Sequence, residues 1–329
     1  MCMTNNCILV GNLKINPLWL APMAGVTDKP FRTLAREQGC DLAFTEMISG
    51  KAIEFKNPRT WDMLDIEGES PIGVQLFGSC PQVLAAAAKV AQAEGARLVD
   101  INMGCPVPKI VGNGEGAALM RHPQLAETIV RQVAAAVSIP VTVKIRAGWD
   151  KTSINAPSLA QRLAAAGASA ITVHGRTREQ MYSGKANWEI IAQAVKAVDI
   201  PVIGNGDIWK GRDALAMQEQ TGCAGIMLAR GALGNPWLFA EVKAALEGRE
   251  YQPPSLDQRI EMSIRHLRME LAYRGQDRGL LFMRKHLAWY LKGMPGTAAL
   301  KGEIFTCTCS RTIEDMLLSY IKKRKDCKT

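Results

Sequence analysis

The sequence predicts an α/β protein, a (β/α)8 TIM barrel followed by a small C-terminal helical bundle. Short apolar runs alternate with longer helix-like stretches through the first 245 residues, which is typical of parallel strands joined by crossover helices. Eight such runs occur, and no glycine-rich dinucleotide fingerprint follows the early ones. These observations favour a closed barrel over an open, doubly wound sheet with the same alternation.

Each predicted strand is apolar over nearly its whole length, as expected of strands that are covered on both faces. A glycine followed by a small residue precedes four of them, at Gly39, Gly95, Gly167 and Gly222. Glycine commonly ends a helix because it adopts the left-handed conformation without steric cost. The eight predicted strands are Leu18 to Leu20, Leu42 to Thr45, Ile72 to Leu76, Leu98 to Ile101, Val141 to Ile145, Ala170 to Val173, Val202 to Gly204 and Gly225 to Leu228.

The pattern changes after Gly248, where Tyr251 to Pro254 is typical of a linker. Apolar residues then recur at helical spacing. We therefore predict a catalytic barrel at residues 1–248 and a helical domain at residues 249–329. The predicted helical stretches are Ser255 to Tyr273, Phe282 to Leu291 and Ile313 to Ile321.

Positive charge is concentrated in the last quarter of the chain. The formal net charge is +9, and Arg249 to Thr329 holds sixteen Lys or Arg against nine Asp or Glu, which is +7. An uneven basic surface indicates a polyanionic partner, because Lys and Arg contacts to phosphates release counterions. A solvated surface with a disordered tail at Lys322 to Lys325 explains the charge equally well.

The nine cysteines form an odd, scattered set, which favours free thiols and a reducing compartment over a disulfide framework. Cys307 and Cys309 lack the second ligand pair that a zinc site requires. No apolar run is long enough to span a membrane, and the N-terminus does not resemble a secretory signal. We expect a cytoplasmic monomer that binds neither metal nor membrane.

The loops after the predicted strands carry the polar residues, and active sites of barrels lie at that face. Cys105 directly follows the fourth strand, where its thiol, with an ordinary pKa of about 8.5, could act as a general acid. Incidental placement is an equally good explanation. Lys144 could face an anionic cofactor or form an ion pair with Asp100. His174, at the end of the sixth strand, is by default structural.

The last two loops of the barrel contain glycine and lead into helices. They are Asn205 to Asp207 and Ala229 to Gly231. In barrels, the loops after strands 7 and 8 commonly hold a phosphate through backbone N–H groups. A phosphate-bearing cofactor is therefore predicted at these two loops.

Taken together, these segments resemble the tRNA-dihydrouridine synthases, and most closely the bacterial B-type branch. The likeness runs from Leu20 to about Lys301 and is specific only as a combination of motifs. The motifs are APMAGVTD (Ala21 to Asp28), VQLFG (Val74 to Gly78), DINMGCPVPK (Asp100 to Lys109), VKIRAGW (Val143 to Trp149), HGRTREQMYSG (His174 to Gly184), NGDI (Asn205 to Ile208) and MRKHLAWYLKG (Met283 to Gly293).

The resemblance implies an FMN-dependent enzyme, with NADPH as reductant, that reduces the C5–C6 bond of uridines in tRNA. Hydride then passes from flavin N5 to C6, and Cys105 protonates C5. The implied FMN-binding residues are Pro22, Met23, Ala24, Gln75, Lys144, His174, Asn205, Gly206, Asp207, Ala229 and Arg230, and the implied uridine- or RNA-binding residues are Asn102, Lys109, Arg176 and Arg178.

Two rival functions remain open at this point. The first is an FMN barrel oxidoreductase that acts on a small pyrimidine or enone, which would not need the basic helical domain. The second is a tRNA-binding module or folding helper that has lost catalysis. FMN binding and an active Cys105 would argue against the second.

Overall fold

The computed structural model describes residues 7–326, apart from the side chains of residues 59, 325 and 326, so Cys2 and Cys327 lie outside the described residues. Eight parallel strands form the predicted barrel, which confirms the (β/α)8 fold. The strands are β1 (Ile8–Val10), β2 (Leu13–Ile15), β3 (Leu18–Leu20), β4 (Leu42–Phe44), β5 (Ile48–Ser49), β6 (Ile72–Phe77), β7 (Leu98–Met103), β8 (Val141–Arg146), β9 (Ala170–His174), β10 (Val202–Asn205) and β11 (Gly225–Leu228).

The barrel closes through hydrogen bonding between β4 and β6, at the two ends of the strand order β4-β3-β11-β10-β9-β8-β7-β6. The short β5 adds to the end of β6, and β1 and β2 form a separate antiparallel hairpin. Five strands extend past their predicted ends, to Phe77, Met103, Arg146, His174 and Asn205. Prediction from apolar runs stopped short because three of these last residues are polar.

Helices surround the barrel and end where the glycine signals predict. Gly39, Gly95, Gly167 and Gly222 all have positive φ, between 67° and 109°. Two short 3₁₀ helices lie at Gly116–Arg121 and Arg230–Ala232. The helices of this part are α1 (Lys29–Glu37), α2 (Gly50–Glu54), α3 (Pro58–Met63), α4 (Pro81–Ala93), α5 (Pro108–Val111), α6 (Pro123–Ala136), α7 (Ala156–Ala165), α8 (Trp188–Ala197), α9 (Gly211–Thr221) and α10 (Leu238–Leu246).

The C-terminal helices have an apolar core of their own, which includes Ile260, Leu267, Met283 and Leu287. The spacing of apolar residues predicted three of them and missed α13. α14 continues through residues 322–325, so the disordered tail considered for this segment is wrong. The helices are α11 (Leu256–Arg274), α12 (Gln276–Tyr290), α13 (Thr297–Thr306) and α14 (Ser310–Asp326).

Asp28 joins the C-terminal helices to the barrel. Its Oδ1 accepts a hydrogen bond from the backbone N–H of Phe31 at 3.2 Å and thereby caps α1, while its Oδ2 pairs with Arg274 of α11 at 2.6 Å. The Phe31 ring packs against His266 and His286. Within the described part of the chain, no helix combines the length and the apolar character needed to cross a membrane.

Candidate active site

A cavity of about 560 Å³ opens at the C-terminal ends of the barrel strands. The predicted site residues Gln75, Arg176 and Arg178 do not line it. The cavity brings the other thirteen together, as the convergence of parallel strands requires. They are Pro22, Met23, Ala24, Asn102, Cys105, Lys109, Lys144, His174, Asn205, Gly206, Asp207, Ala229 and Arg230.

Hydrogen bonds with Asn102 and Arg146 hold the loop that carries Cys105. The backbone N–H groups of Gly104 and Cys105 donate to Asn102 Oδ1 at 3.1 and 2.9 Å, and Arg146 Nε donates to the Gly104 carbonyl at 2.8 Å. Burial raises the pKa of the Cys105 thiol above its ordinary value. The thiol is therefore protonated at neutral pH, as a proton donor must be.

A chain of buried hydrogen bonds beneath the cavity fixes Asn102. Asn102 Nδ2 donates to Gln75 Oε1 at 2.8 Å, and Gln75 Nε2 donates to Asp100 Oδ2 at 2.6 Å. Thr142 Oγ1 donates to the other Asp100 oxygen at 2.6 Å. Asp100 and Asn102 share a face of β7 because side chains alternate along a strand. Gln75 is fully buried and its amide is used within this chain, so it lies behind the cavity wall.

Lys144 forms no ion pair with a carboxylate of residues 7–326. The oxygens of Asp100, the partner considered from the sequence, accept from Gln75 and Thr142 instead. Burial, and to a smaller extent the neighbouring Arg146, lowers the pKa of Lys144 to about 8. Lys144 thus presents a largely positive ammonium group to the cavity at neutral pH.

The low pKa of His174 reflects both its burial and the positive charges around it. Burial lowers the pKa of its imidazole most, and together with the four nearby cations Lys144, Arg146, Arg176 and Arg230 it brings the pKa well below the ordinary value. The imidazole is therefore neutral at pH 7. Three of these cations, Lys144, Arg146 and Arg230, line the cavity, which therefore favours an anionic ligand.

Gly206 allows the loop after β10 to approach β9 closely. Its φ is +124°, and a Cβ atom there would lie 2.8 Å from the Cβ of Ala186 and 3.0 Å from Cδ2 of His174. The neighbouring Asn205 donates from Nδ2 to the carbonyl of Met227 at 2.7 Å, which ties β10 to β11. The two loops predicted to bind a phosphate therefore lie side by side.

Arg176 and Arg178 are occupied by protein contacts outside the cavity wall. Arg176 is 2% exposed, and it pairs with Asp207 at 2.8 Å and donates to the carbonyls of Ser183 and Gly184. The guanidinium of Arg178 lies 4.7 Å from the centre of the Trp149 ring. Arg176 orients Asp207, whose carboxylate also lies 3.6 Å from Arg230.

Among the cavity-lining residues that sequence reasoning did not assign are one cation and three aromatic residues: Arg146, Tyr182, Trp209 and Trp289. The Arg230 guanidinium lies over the rings of Tyr182 and Trp209, at 4.9 and 5.4 Å. Tyr182 and Trp289 fall within the HGRTREQMYSG and MRKHLAWYLKG motifs, so motif membership was the available signal. The sequence placed Arg146 at the end of a predicted strand. It could not show that Arg146 donates to the carbonyls of Gly104, Thr177 and Met181, because the fold brings these groups together.

A family model described as dihydrouridine synthase (Dus) matches residues 19–325. The chain belongs to the dihydrouridine synthase family. A probable tRNA-dihydrouridine synthase 1 of Synechocystis is 44% identical over 97% of this chain and 90% of its own length. The tRNA-dihydrouridine synthase B of Xanthomonas axonopodis is 42% identical over 90% of each chain.

The barrel of this dihydrouridine synthase family member is also similar to a solved structure outside the named relatives. Histamine dehydrogenase from Rhizobium superposes with a TM-score of 0.55 and 15% identity, over 85% of this chain and 50% of that chain. At this identity the likeness concerns the fold alone. It supports the barrel assignment made from the strand count.

Proposed function

We propose that this chain is a tRNA-dihydrouridine synthase, which reduces the C5–C6 bond of uridines in tRNA with FMN as cofactor and NADPH as reductant. The observation that carries the proposal is a protonated Cys105 thiol at a cavity lined by the cations Lys144, Arg146 and Arg230. The names of the relatives from Synechocystis and Xanthomonas support the same reaction.

The cavity fits FMN in size and charge. Its volume of about 560 Å³ lies within the range of small-molecule sites, and most of its lining is apolar. Lys144, which has no carboxylate partner among the described residues, and Arg230, which shares Asp207 with Arg176, suit an anionic ligand. In the proposed mode, Pro22, Met23 and Ala24 contact the ring system, with Gln75 supporting it from behind. Lys144 would contact the cofactor, and a second group of residues would lie toward its phosphate end: His174, Asn205, Gly206, Asp207, Ala229 and Arg230.

In the proposed reaction, the chemistry that reduced FMN would supply when bound is hydride donation to C6 of uracil. The Cys105 thiol gives its proton to C5, and the glycosidic bond stays intact. Lys144 and Arg146 lie close enough to favour the thiolate that remains. The thiolate regains a proton from solvent, so the base gains one hydride and one proton in each turnover.

The uridine must leave the tRNA stack to reach the cavity, which costs a few kcal/mol. Asn102 and the exposed Lys109 border the Cys105 loop and are proposed to meet the base and nearby phosphates. Arg176 and Arg178 act behind them, through Asp207 and Trp149. We propose that residues 1–248 bind FMN and catalyse the reaction and that the basic residues 249–329 bind tRNA.

Anaerobic stopped-flow spectroscopy tests this function. Enzyme with FMN reduced by NADPH is mixed with unmodified tRNA or with free uridine, and flavin reoxidation is followed by absorbance. Rapid reoxidation by tRNA is expected, with little by free uridine. Reoxidation by a small pyrimidine or enone and none by tRNA would favour the small-molecule oxidoreductase instead.

A further inference from the structure

Helix α12 contacts two loops of the catalytic cavity, although it lies in the C-terminal helical part. Its Trp289 lines the cavity. Gly234, after β11, packs against the backbone of α12, and a Cβ atom there would overlap with Trp289 and Tyr290. Lys285, one turn before Trp289, donates from Nζ to the carbonyl of Gly25, after β3. One helix therefore touches both loops.

Gly25 is held at both of its backbone polar groups by charged side chains. Its N–H donates to Glu46 Oε1, and its carbonyl accepts from Lys285 Nζ. Hydrogen bonds of this kind are about twice as strong as those between neutral groups. The Lys285 ammonium also lies 3.9 Å from the centre of the Phe282 ring, which limits its freedom. The two residues fix the peptide groups on either side of Gly25.

The segment fixed in this way directly adjoins residues of the cavity wall. Met23 and Ala24 line the cavity, and they precede Gly25 in the chain. The Met23 N–H donates to Thr27 Oγ1 at 2.9 Å, and the Met23 carbonyl accepts from the N–H groups of Val26 and Thr27. The turn is therefore a compact unit, so that a shift at Gly25 is transmitted to Met23.

We propose that Lys285, acting with Glu46, is a positioning residue that sets the Met23 to Ala24 segment against the cofactor. This inference rests on the proposed FMN site. It gives the C-terminal helices a part in building the cofactor site in addition to binding RNA. If Lys285 only held α12 against the barrel, its replacement would change the stability of the protein and leave cofactor binding unchanged.

The test uses Lys285→Met, which removes the ammonium group, Lys285→Arg, which retains a cation, and Lys292→Met as a control. Lys292 is an exposed lysine just after α12 and has no part in the cavity. FMN dissociation constants are measured by fluorescence titration without RNA. Absorption spectra of bound FMN and thermal unfolding of the FMN-free protein are recorded alongside.

Lys285→Met is expected to raise the FMN dissociation constant about tenfold, through loss of one charge-assisted hydrogen bond. It should also shift the spectrum of bound FMN, while Lys285→Arg restores both and Lys292→Met matches the wild type. Unchanged affinity and spectrum with only a lower melting temperature would overturn the inference.

If Lys285→Met does not fold, Glu46→Gln removes the charge on the other side of Gly25. Weaker FMN binding with a shifted spectrum would then support the inference, and unchanged affinity and spectrum would overturn it. The controls also separate this inference from the function on which it rests. A wild type that binds no FMN would contradict the proposed function itself, whereas normal binding by both wild type and Lys285→Met would contradict only the role of Lys285.

Discussion

The side-chain oxygen of Asn102 accepts a hydrogen bond from the backbone N–H of Cys105 at 2.9 Å. The same oxygen accepts from Gly104, and the Asn102 amide nitrogen is held in turn by Gln75. The loop that carries the proposed acid is thus anchored to the buried floor of the barrel. The position of the thiol therefore depends, through Asn102, on Gln75, which lies behind the cavity wall.

Asn102→Ala should slow tRNA reduction more than it weakens FMN binding. Removing the acceptor frees the Cys105 loop, and misplacement of a catalytic group by about 1 Å can cost about a hundredfold in rate. We expect a ten- to hundredfold fall in the single-turnover rate, by the same reasoning. Asn113→Ala, an exposed asparagine outside the cavity, is the control. Equal rates for both variants would contradict the anchoring role.

Cys105→Ala should separate the two half-reactions. A general acid contributes about 10²- to 10⁴-fold, so reoxidation of the flavin by tRNA should slow by that factor. Reduction of FMN by NADPH should keep its rate, because it does not use the thiol proton. Cys80→Ala, at a half-buried free thiol outside the cavity, serves as the control. Slowing of both half-reactions would indicate a structural role for Cys105.

Lys144 predicts a pH dependence of FMN binding. Its pKa, lowered to about 8 mainly by burial, means that the ammonium is charged below this value and neutral above it. FMN affinity of the wild type should therefore fall between about pH 7 and pH 9, by up to about tenfold per pH unit. Lys144→Met should bind FMN weakly at every pH in this range. A pH profile that is the same for both proteins would contradict the assignment.

Asp28 predicts a pH dependence of stability. Burial and the neighbouring Glu270 raise its pKa to about 7, so the folded state holds the proton more tightly than the unfolded state. This stabilisation is present below the unfolded pKa of about 3.9 and is lost as pH rises through about 7. Each unit of raised pKa corresponds to about 1.4 kcal/mol.

Asp28→Asn keeps an oxygen for the cap of α1 and removes the titration. The free energy of unfolding of the variant should therefore depend less on pH between about 4 and 7, as measured by urea titration. Asp315→Asn changes an exposed aspartate and should retain the profile of the wild type. An Asp28→Asn profile as steep as that of the wild type would refute the prediction.

Asp28, His266 and Glu270 are also the three residues of the described chain that could together hold a metal ion. Arg274 pairs with both carboxylates, through Asp28 at 2.6 Å and Glu270 at 2.9 Å. The Arg274 guanidinium therefore already balances the charge of the two carboxylates. The sequence could not predict this cluster, since Asp28 and Glu270 come together only when α11 packs on α1.

Local signals predicted the barrel because strand, helix and stop residues repeat along the chain. Thirteen of the sixteen predicted site residues line one cavity, since all lie near the ends of parallel strands or in the loops after them, at the same face of the barrel. Gln75 and Arg176 do not line the cavity, because their side chains bond to neighbouring residues instead. Position along a strand does not predict these bonds. Trp289 was missed because its place depends on the packing of α12 against the barrel.

The central claim is that this chain converts uridine in tRNA to dihydrouridine, with Cys105 as the acid. The most direct test incubates purified protein with FMN, NADPH and unmodified tRNA, and quantifies dihydrouridine by mass spectrometry of the digested RNA. The account predicts dihydrouridine with the wild type and a loss of at least about a hundredfold in initial rate with Cys105→Ala. Absence of dihydrouridine with FMN-loaded wild type, or equal rates for the two proteins, would contradict it.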